Sequence, residues 1–123
     1  MGAPIVHFEI TGNDGAALTK FYSELFGWAV DTNNPMNYGI VDREANSNAD
    51  GIGIGGGIMG MPDGMPGYIT VYAEVPDVEA ALVKAEGLGA TRLMGPEKVA
   101  EGVEIGMFSD PEGRPFGVIK ANS

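Results

Sequence analysis

The sequence predicts an α+β protein in which one βαβββ motif is written twice, and three observations predict it. A strand-like run, an amphipathic helix and up to three further strand-like runs follow one another between about 5 and 60. A stretch rich in proline and glycine interrupts regular structure at 61–67, and the same order then restarts at 68 and runs to about 121. The expected organisation is a single domain over 1–123, with module 1 at about 5–60, a linker at 61–67 and module 2 at about 68–121. A chain of 123 residues is of ordinary single-domain length and buries a core without covalent staples.

Module 1 opens on Ile5-Val6-His7-Phe8-Glu9-Ile10, short, rich in β-branched residues and roughly alternating, which reads as a strand. Thr11-Gly12-Asn13-Asp14 supplies turn and N-cap chemistry. Ala17, Leu18, Phe21, Tyr22, Leu25 and Phe26 then recur at helical steps, and Gly27 stands where a helix C-terminus wants a left-handed residue. Trp28-Ala29-Val30, Asn37 to Asp42, and the glycine-rich run from Gly51 to Gly60 are the three candidate strands. The linker Met61-Pro62-Asp63-Gly64-Met65-Pro66-Gly67 holds two prolines and two glycines, which oppose strand pairing.

Module 2 repeats the order. Tyr68 to Val75 is a strand sequence and Pro76-Asp77 caps the next element. Val78, Ala81, Leu82 and Leu88 mark a helix that ends at Gly87 to Gly89. Leu93, the run Val103 to Phe108 and the run Phe116 to Ile119 give three more strands. Both helices carry Ala-Ala-Leu, at 16–18 and at 80–82, which fits an internal repeat of about 60 residues.

Seventeen acidic residues against 7 basic ones give a net charge of −10, which repels phosphate backbones and anionic lipid. Nucleic acid and membrane surfaces are thereby excluded as expected partners. The absence of cysteine removes disulfides, thiolate zinc sites and a cysteine nucleophile. Met1-Gly2-Ala3-Pro4 carries no basic region leading into an apolar run, and no stretch approaches the ~20 apolar residues of a spanning helix. The expectation is a cytoplasmic protein. A single histidine and no nucleophile-elbow sequence leave no Ser/His/Asp arrangement. Gly51 to Gly56 matches G-x-G-x-x-G in letters, but no helix follows it to meet a pyrophosphate, so the glycines read as a strand whose backbone packs closely or leaves room for a ligand.

Several motifs in order resemble the vicinal oxygen chelate superfamily, which includes glyoxalase I, bleomycin-resistance proteins and extradiol dioxygenases. They are His7 in the first strand, Phe21-Tyr22 with Leu25-Phe26-Gly27-Trp28 behind them, Val75-Pro76-Asp77-Val78-Glu79-Ala80-Ala81-Leu82, and Asp110-Pro111-Glu112-Gly113 before the last strand. The resemblance implies that each module curls a mixed sheet into half of a cup whose floor binds the ligand, and that the chain forms a homodimer. It also implies a divalent metal on four inward positions, typically His or Gln on a module's first strand and Glu on its last.

Only His7 matches that set. The equivalent positions fall at or near Thr70, at Gly117, and within Gly51 to Gly57, none of which offers a carboxylate or an imidazole. Glu9 is a candidate second ligand because it shares a strand face with His7, and Glu104 is a further option. A catalytic mononuclear site needs about three protein ligands. The expected site therefore holds no metal, or a divalent ion on His7 and Glu9 if any is bound.

Candidate ligand-binding residues are His7, Trp28, Tyr38, Thr70, Tyr72 and Phe108, with Tyr68 and several methionines (Met59, Met61, Met65, Met107) as further apolar contacts. Aromatic rings give flat, rigid contact area and methionine fits irregular shapes, a mix suited to a hydrophobic or planar ligand. Alternation sets Tyr68, Thr70 and Tyr72 on one strand face. Two functions remain open: a metal-independent binding protein for a small aromatic or cationic molecule, like the bleomycin-resistance branch, and a metal-dependent enzyme of the glyoxalase I or extradiol dioxygenase type. Fold alone does not choose between them.

Overall fold

The computed structural model describes residues 2–33 and 38–121. They pack as two compact units, one of His7–Ile69 and one of Met1–Val6 with Thr70–Ser123. The described residues form two α-helices and eight strands, β1 (Ile5–Gly12), α1 (Gly15–Phe26), β2 (Val30–Asp31), β3 (Gly39–Val41), β4 (Gly55–Gly60), β5 (Ile69–Glu74), α2 (Val78–Gly87), β6 (Thr91–Ala100), β7 (Val103–Ser109) and β8 (Pro115–Ala121). This is the α+β fold of two βαβββ modules. The first two residues of β1 belong to the second unit, where the Glu74 amide donates to the Pro4 carbonyl at 2.8 Å.

In the first unit the strands run in the order β2-β3-β4-β1, with β1 and β4 parallel and the other pairs antiparallel. The register sets His7 against Gly55, Glu9 against Gly57 and Ile40 against the same Gly57. Helix α1 starts where Asp14 accepts from the Ala17 amide at 3.0 Å and stops where Gly27 adopts a φ of 73°, its amide donating to the Ser23 carbonyl. A side chain at that φ is strained, so glycine makes the stop sharp. Leu18 and Tyr22 press α1 onto a core of Ile10, Val41 and Ile58, joined by Phe8, Trp28 and Val30. The helical stripe read from the sequence is therefore only partly a core stripe: Phe21, Leu25 and Phe26 remain 56–58% exposed.

The glycine-rich run is not one strand. Gly51 takes a φ of 75° in a turn that Asn48 organises by accepting from the Asp50 and Ile52 amides. A 3₁₀ turn over Glu44–Asn46 precedes it, and a β-carbon on Gly53 would collide with that turn's backbone, so pairing starts only at Gly55. Asn37, read as the start of the preceding strand, lies outside the described residues. Residues 61–67 form no helix or strand, as the prolines require, and are tied to β1 by the Met61 amide donating to the Gly12 carbonyl at 2.7 Å.

In the second unit the order is β5-β8-β7-β6, with β5 and β8 parallel and the rest antiparallel. Asp77 caps α2 by accepting from the Ala80 amide at 3.0 Å. Val78 and Leu82 are fully buried against Val118, with Val75, Ala81 and Phe108 around them. Gly106 lets α2 lie this close, since a β-carbon there would stand 2.8–2.9 Å from Leu82 and Val78. Asp110-Pro111-Glu112-Gly113 is a tight turn into β8: the Asp110 carboxylate accepts from the Glu112 and Arg114 amides at 2.8 and 3.0 Å, and Gly113 takes a φ of 86°.

Candidate functional site

Successive residues of a strand point to opposite faces, and β1 uses both. Phe8 and Ile10 join the core under α1, which sends His7, Glu9 and Thr11 to the other face. Glu9 is only 6% exposed. A buried carboxylate is costly unless its oxygens are hydrogen-bonded, and here two phenols serve it. The Tyr68 hydroxyl donates to Oε1 at 2.7 Å and the Tyr38 hydroxyl to Oε2 at 3.0 Å. His7 Nε2 stands 3.0 Å from the same Tyr38 oxygen, with the two rings nearly parallel at 14°.

The proton count follows. A phenol has one proton; the Tyr38 proton goes to Glu9, so His7 Nε2 carries a hydrogen and donates to Tyr38. Burial lowers the His7 pKa below its usual value, opposed by the negative charge of Glu9. Burial, and the Glu9 carboxylate that accepts its hydrogen bond, push the Tyr68 hydroxyl far above the ordinary phenol range, so it stays a donor at physiological pH. Thr11 fixes Tyr68 from behind: its hydroxyl accepts from the Tyr68 amide at 3.0 Å, and its amide donates to the Tyr68 carbonyl at 2.8 Å.

Glycine makes room for this arrangement. A β-carbon at Gly57 would overlap the hydroxyl end of the Tyr38 ring, and one at Gly56 would clash with the Phe8 ring on the opposite face. The glycine run expected to wall a pocket is covered by a ring on each side.

The structure brings together three of the residues singled out from the sequence, His7, Glu9 and Tyr38, and adds Tyr68 as a polar rather than an apolar member. Trp28 goes elsewhere. It lies in the apolar cluster beneath α1, with ring centroids 5.2 Å from Phe8, 6.1 Å from Tyr22 and 5.0 Å from Phe26. Phe108 likewise faces α2 and stacks on Phe116 at 5.7 Å. Both residues belong to the helix-facing cores. Thr70 and Tyr72 belong to the second unit. The Thr70 hydroxyl donates to the Pro115 carbonyl at 2.7 Å, and the Tyr72 ring covers its cross-strand partner Gly117, where a β-carbon would overlap it. Met65 is 48% exposed, its carbonyl accepting from Asn13 Nδ2 at 3.3 Å. An open depression of about 400 Å³ in the first unit is lined by Ala29, Val30, Asp31, Ile40, Asp42 and Ala45 and by none of the clustered residues.

The residues do not fit the divalent metal that the fold implies. Of the positions expected to supply ligands, Thr70 spends its hydroxyl on a backbone carbonyl, while Gly117 and the run Gly51 to Gly57 offer no side-chain donor, and Gly57 and Gly117 lie under tyrosine rings. Both Glu9 oxygens accept phenol protons. Among the described residues no group of three or more His, Asp or Glu side chains is placed to hold a metal ion.

Two βαβββ modules in tandem define the architecture shared by the glyoxalase, bleomycin-resistance and dioxygenase superfamily. The model of the glyoxalase-like domain matches residues 7–119, and the chain belongs to that family. Among solved structures, methylmalonyl-CoA epimerase from Streptomyces coelicolor in complex with 2-nitronate-propionyl-CoA is similar at a TM-score of 0.60 and 16% identity, covering 98% of this chain and 99% of that one. A glyoxalase/bleomycin resistance protein/dioxygenase superfamily member from Vibrio splendidus gives 0.58 at 15% identity, covering 97% and 99%. At such identities the likeness concerns the fold. The protein named "Putative glyoxylase CFP32" in Mycobacterium bovis and in Mycobacterium tuberculosis is 30% identical over 115 residues, which is 93% of this chain and 44% of that protein. The chain thus spans about half the length of these relatives.

Proposed function

We propose that this glyoxalase-like domain is a small-molecule binding protein that holds an aromatic or cationic ligand on the His7–Glu9 face of its first unit without a divalent metal. One observation carries the reading: a buried carboxylate held between two phenols beside a neutral imidazole, where a metal-dependent relative would need ligands. Carboxylate, phenols and imidazole recognise hydrogen-bond donors, cations and ring faces. Such a site binds by shape and a few placed polar groups rather than by coordination.

The names glyoxylase and epimerase among the similar proteins fit a second reading, an enzyme of the glyoxalase I or extradiol dioxygenase type, for which the family resemblance implies a divalent metal. It requires a third ligand that the donor set of the first unit does not supply. The domain is expected to act as a homodimer in the cytoplasm; the net charge of −10 gives it no attraction to nucleic acid or to anionic lipid. Among the described residues no helix is long and apolar enough to cross a membrane.

A screen of small aromatic and cationic compounds by thermal shift, on wild type and Glu9→Gln, tests the reading. It expects at least one compound to raise the melting temperature of wild type and to lose that effect in Glu9→Gln. Ligands that stabilise both proteins equally would place binding elsewhere.

A further inference from the structure

The slot over Gly57 already contains a ligand-like group. Glycine removes the β-carbon that would overlap the hydroxyl end of the Tyr38 ring, and the alternation of β1 sets His7 Nε2 and Glu9 Oε2 at that same end, each 3.0 Å from the Tyr38 hydroxyl oxygen. Beyond its α-carbon a tyrosine side chain is p-cresol, so the slot has the shape of a para-substituted phenol. Its polar end is specific in both directions, since the carboxylate accepts the phenol proton and the imidazole N–H donates to the phenol oxygen. An ammonium group satisfies the carboxylate alone and turns its positive charge toward a donor. Tyr68 shows the same preference on the other carboxylate oxygen, at 2.7 Å. Tyr38 itself stands one residue before β3.

We propose that this slot is a subsite for an aromatic hydroxyl: a phenolic ring of the ligand takes the place of the Tyr38 side chain over Gly57, its hydroxyl donating to Glu9 and accepting from His7. The inference rests on the small-molecule reading above and selects within it, favouring a phenol over a cation and making Tyr38 an internal competitor.

The test is calorimetric titration of wild type, Tyr38→Gly and the double variant Tyr38→Gly with Glu9→Gln, using p-cresol, toluene and 4-methylbenzylammonium as probes. A charge-assisted hydrogen bond separates a phenol from its hydroxyl-free isostere by roughly ten- to hundredfold. Tyr38→Gly should therefore bind p-cresol that much tighter than toluene, and tighter than wild type does, and Glu9→Gln should erase the preference. Equal affinity for p-cresol and toluene, or a preference for the ammonium, overturns the proposal. So does a wild type that binds other compounds of the screen but never p-cresol, an outcome that leaves the broader small-molecule reading intact. A wild type that binds nothing at all removes both. Should Tyr38→Gly fail to fold, Tyr38→Phe replaces it: the ring stays but loses both hydrogen bonds, so p-cresol should bind tighter than to wild type, and unchanged affinity counts against the subsite.

Discussion

The Tyr68 hydroxyl donates to Glu9 Oε1 at 2.7 Å, from a residue whose backbone is clasped on both sides by Thr11. Hydrogen bonds to a charged, buried acceptor contribute about 1.5–3 kcal/mol. Tyr68→Phe keeps the ring and should lower stability by that amount in urea unfolding, whereas Tyr68→Leu should cost more because the ring is lost as well. A Tyr68→Phe midpoint equal to wild type would mean that the bond contributes nothing to the fold.

His7 predicts a pH dependence with a definite sign. Burial lowers its pKa in the folded chain below the usual 6.5, so the unfolded chain binds the proton more readily. Stability is then full above pH 6.5 and is lost as pH falls from 6.5 through the lower folded value. Melting temperatures of wild type and His7→Gln between pH 8 and pH 5 should diverge in that window, with the variant flatter. Parallel curves would show that His7 does not titrate with unfolding.

Asp110 gives a case of the same sign at lower pH, with the opposite cause: hydrogen bonds that favour its charged form rather than burial that disfavours one. The Arg114 and Glu112 amides that bond to its carboxylate hold its pKa below the usual value. Its contribution is present above the ordinary carboxylate range and vanishes as pH falls through the folded pKa. Asp110→Ala should lower stability at pH 7 and lose that deficit in acid; a deficit that persists at pH 2 would assign the loss to packing in the turn.

Glycine positions separate two costs. Gly57→Ala places a β-carbon on the hydroxyl end of the Tyr38 ring, which must shift and surrender its two 3.0 Å contacts to His7 and Glu9, whereas at Gly87 nothing stands within 4 Å. Overpacking costs about 1–3 kcal/mol, while Gly→Ala at a compatible site stabilises by about 0.4–1 kcal/mol. Chemical unfolding of the two variants should thus move in opposite directions, and two shifts of the same sign would contradict the crowding at Gly57.

Leu82 and Leu25 test the unequal helices. Leu82 is fully buried under α2 and Leu25 is 58% exposed on α1. Leu82→Ala should cost about 2–5 kcal/mol, and Leu25→Ala about 0.5 kcal/mol or less. Similar losses would mean that Leu25 is covered in solution.

Local chemistry was legible in the sequence, and long-range placement was not. Asp14, Gly27 and Asp77 announce their caps because a cap depends on residues three or four positions away. The period of two put His7 and Glu9 on one face for the same reason. Tyr38 and Tyr68 meet Glu9 across 29 and 59 residues of chain, and no local pattern encodes that. Trp28 is ambiguous in the sequence because an aromatic suits a pocket and a core equally; the positions of Phe8, Tyr22 and Phe26 place its ring in the apolar cluster. The signal for the tyrosine slot is present in Gly55-Gly56-Gly57, but a missing side chain signals close packing or room for a ligand without naming the rings from elsewhere in the chain that fill it.

The central claim is that the Glu9 cluster binds without a divalent metal, and metal content joined to thermal shift tests it most directly. Protein purified without a histidine tag or chelator would be assayed for bound metal, then melted with Ni²⁺, Zn²⁺, Mn²⁺ and Fe²⁺ as wild type and as His7→Ala. A ligand bound only to the folded state at a hundred times its dissociation constant stabilises by ~2.7 kcal/mol, enough to move the melting temperature visibly. The account predicts substoichiometric metal and superimposable melting curves; a stoichiometric ion whose shift disappears in His7→Ala would contradict it and make the domain a metalloprotein.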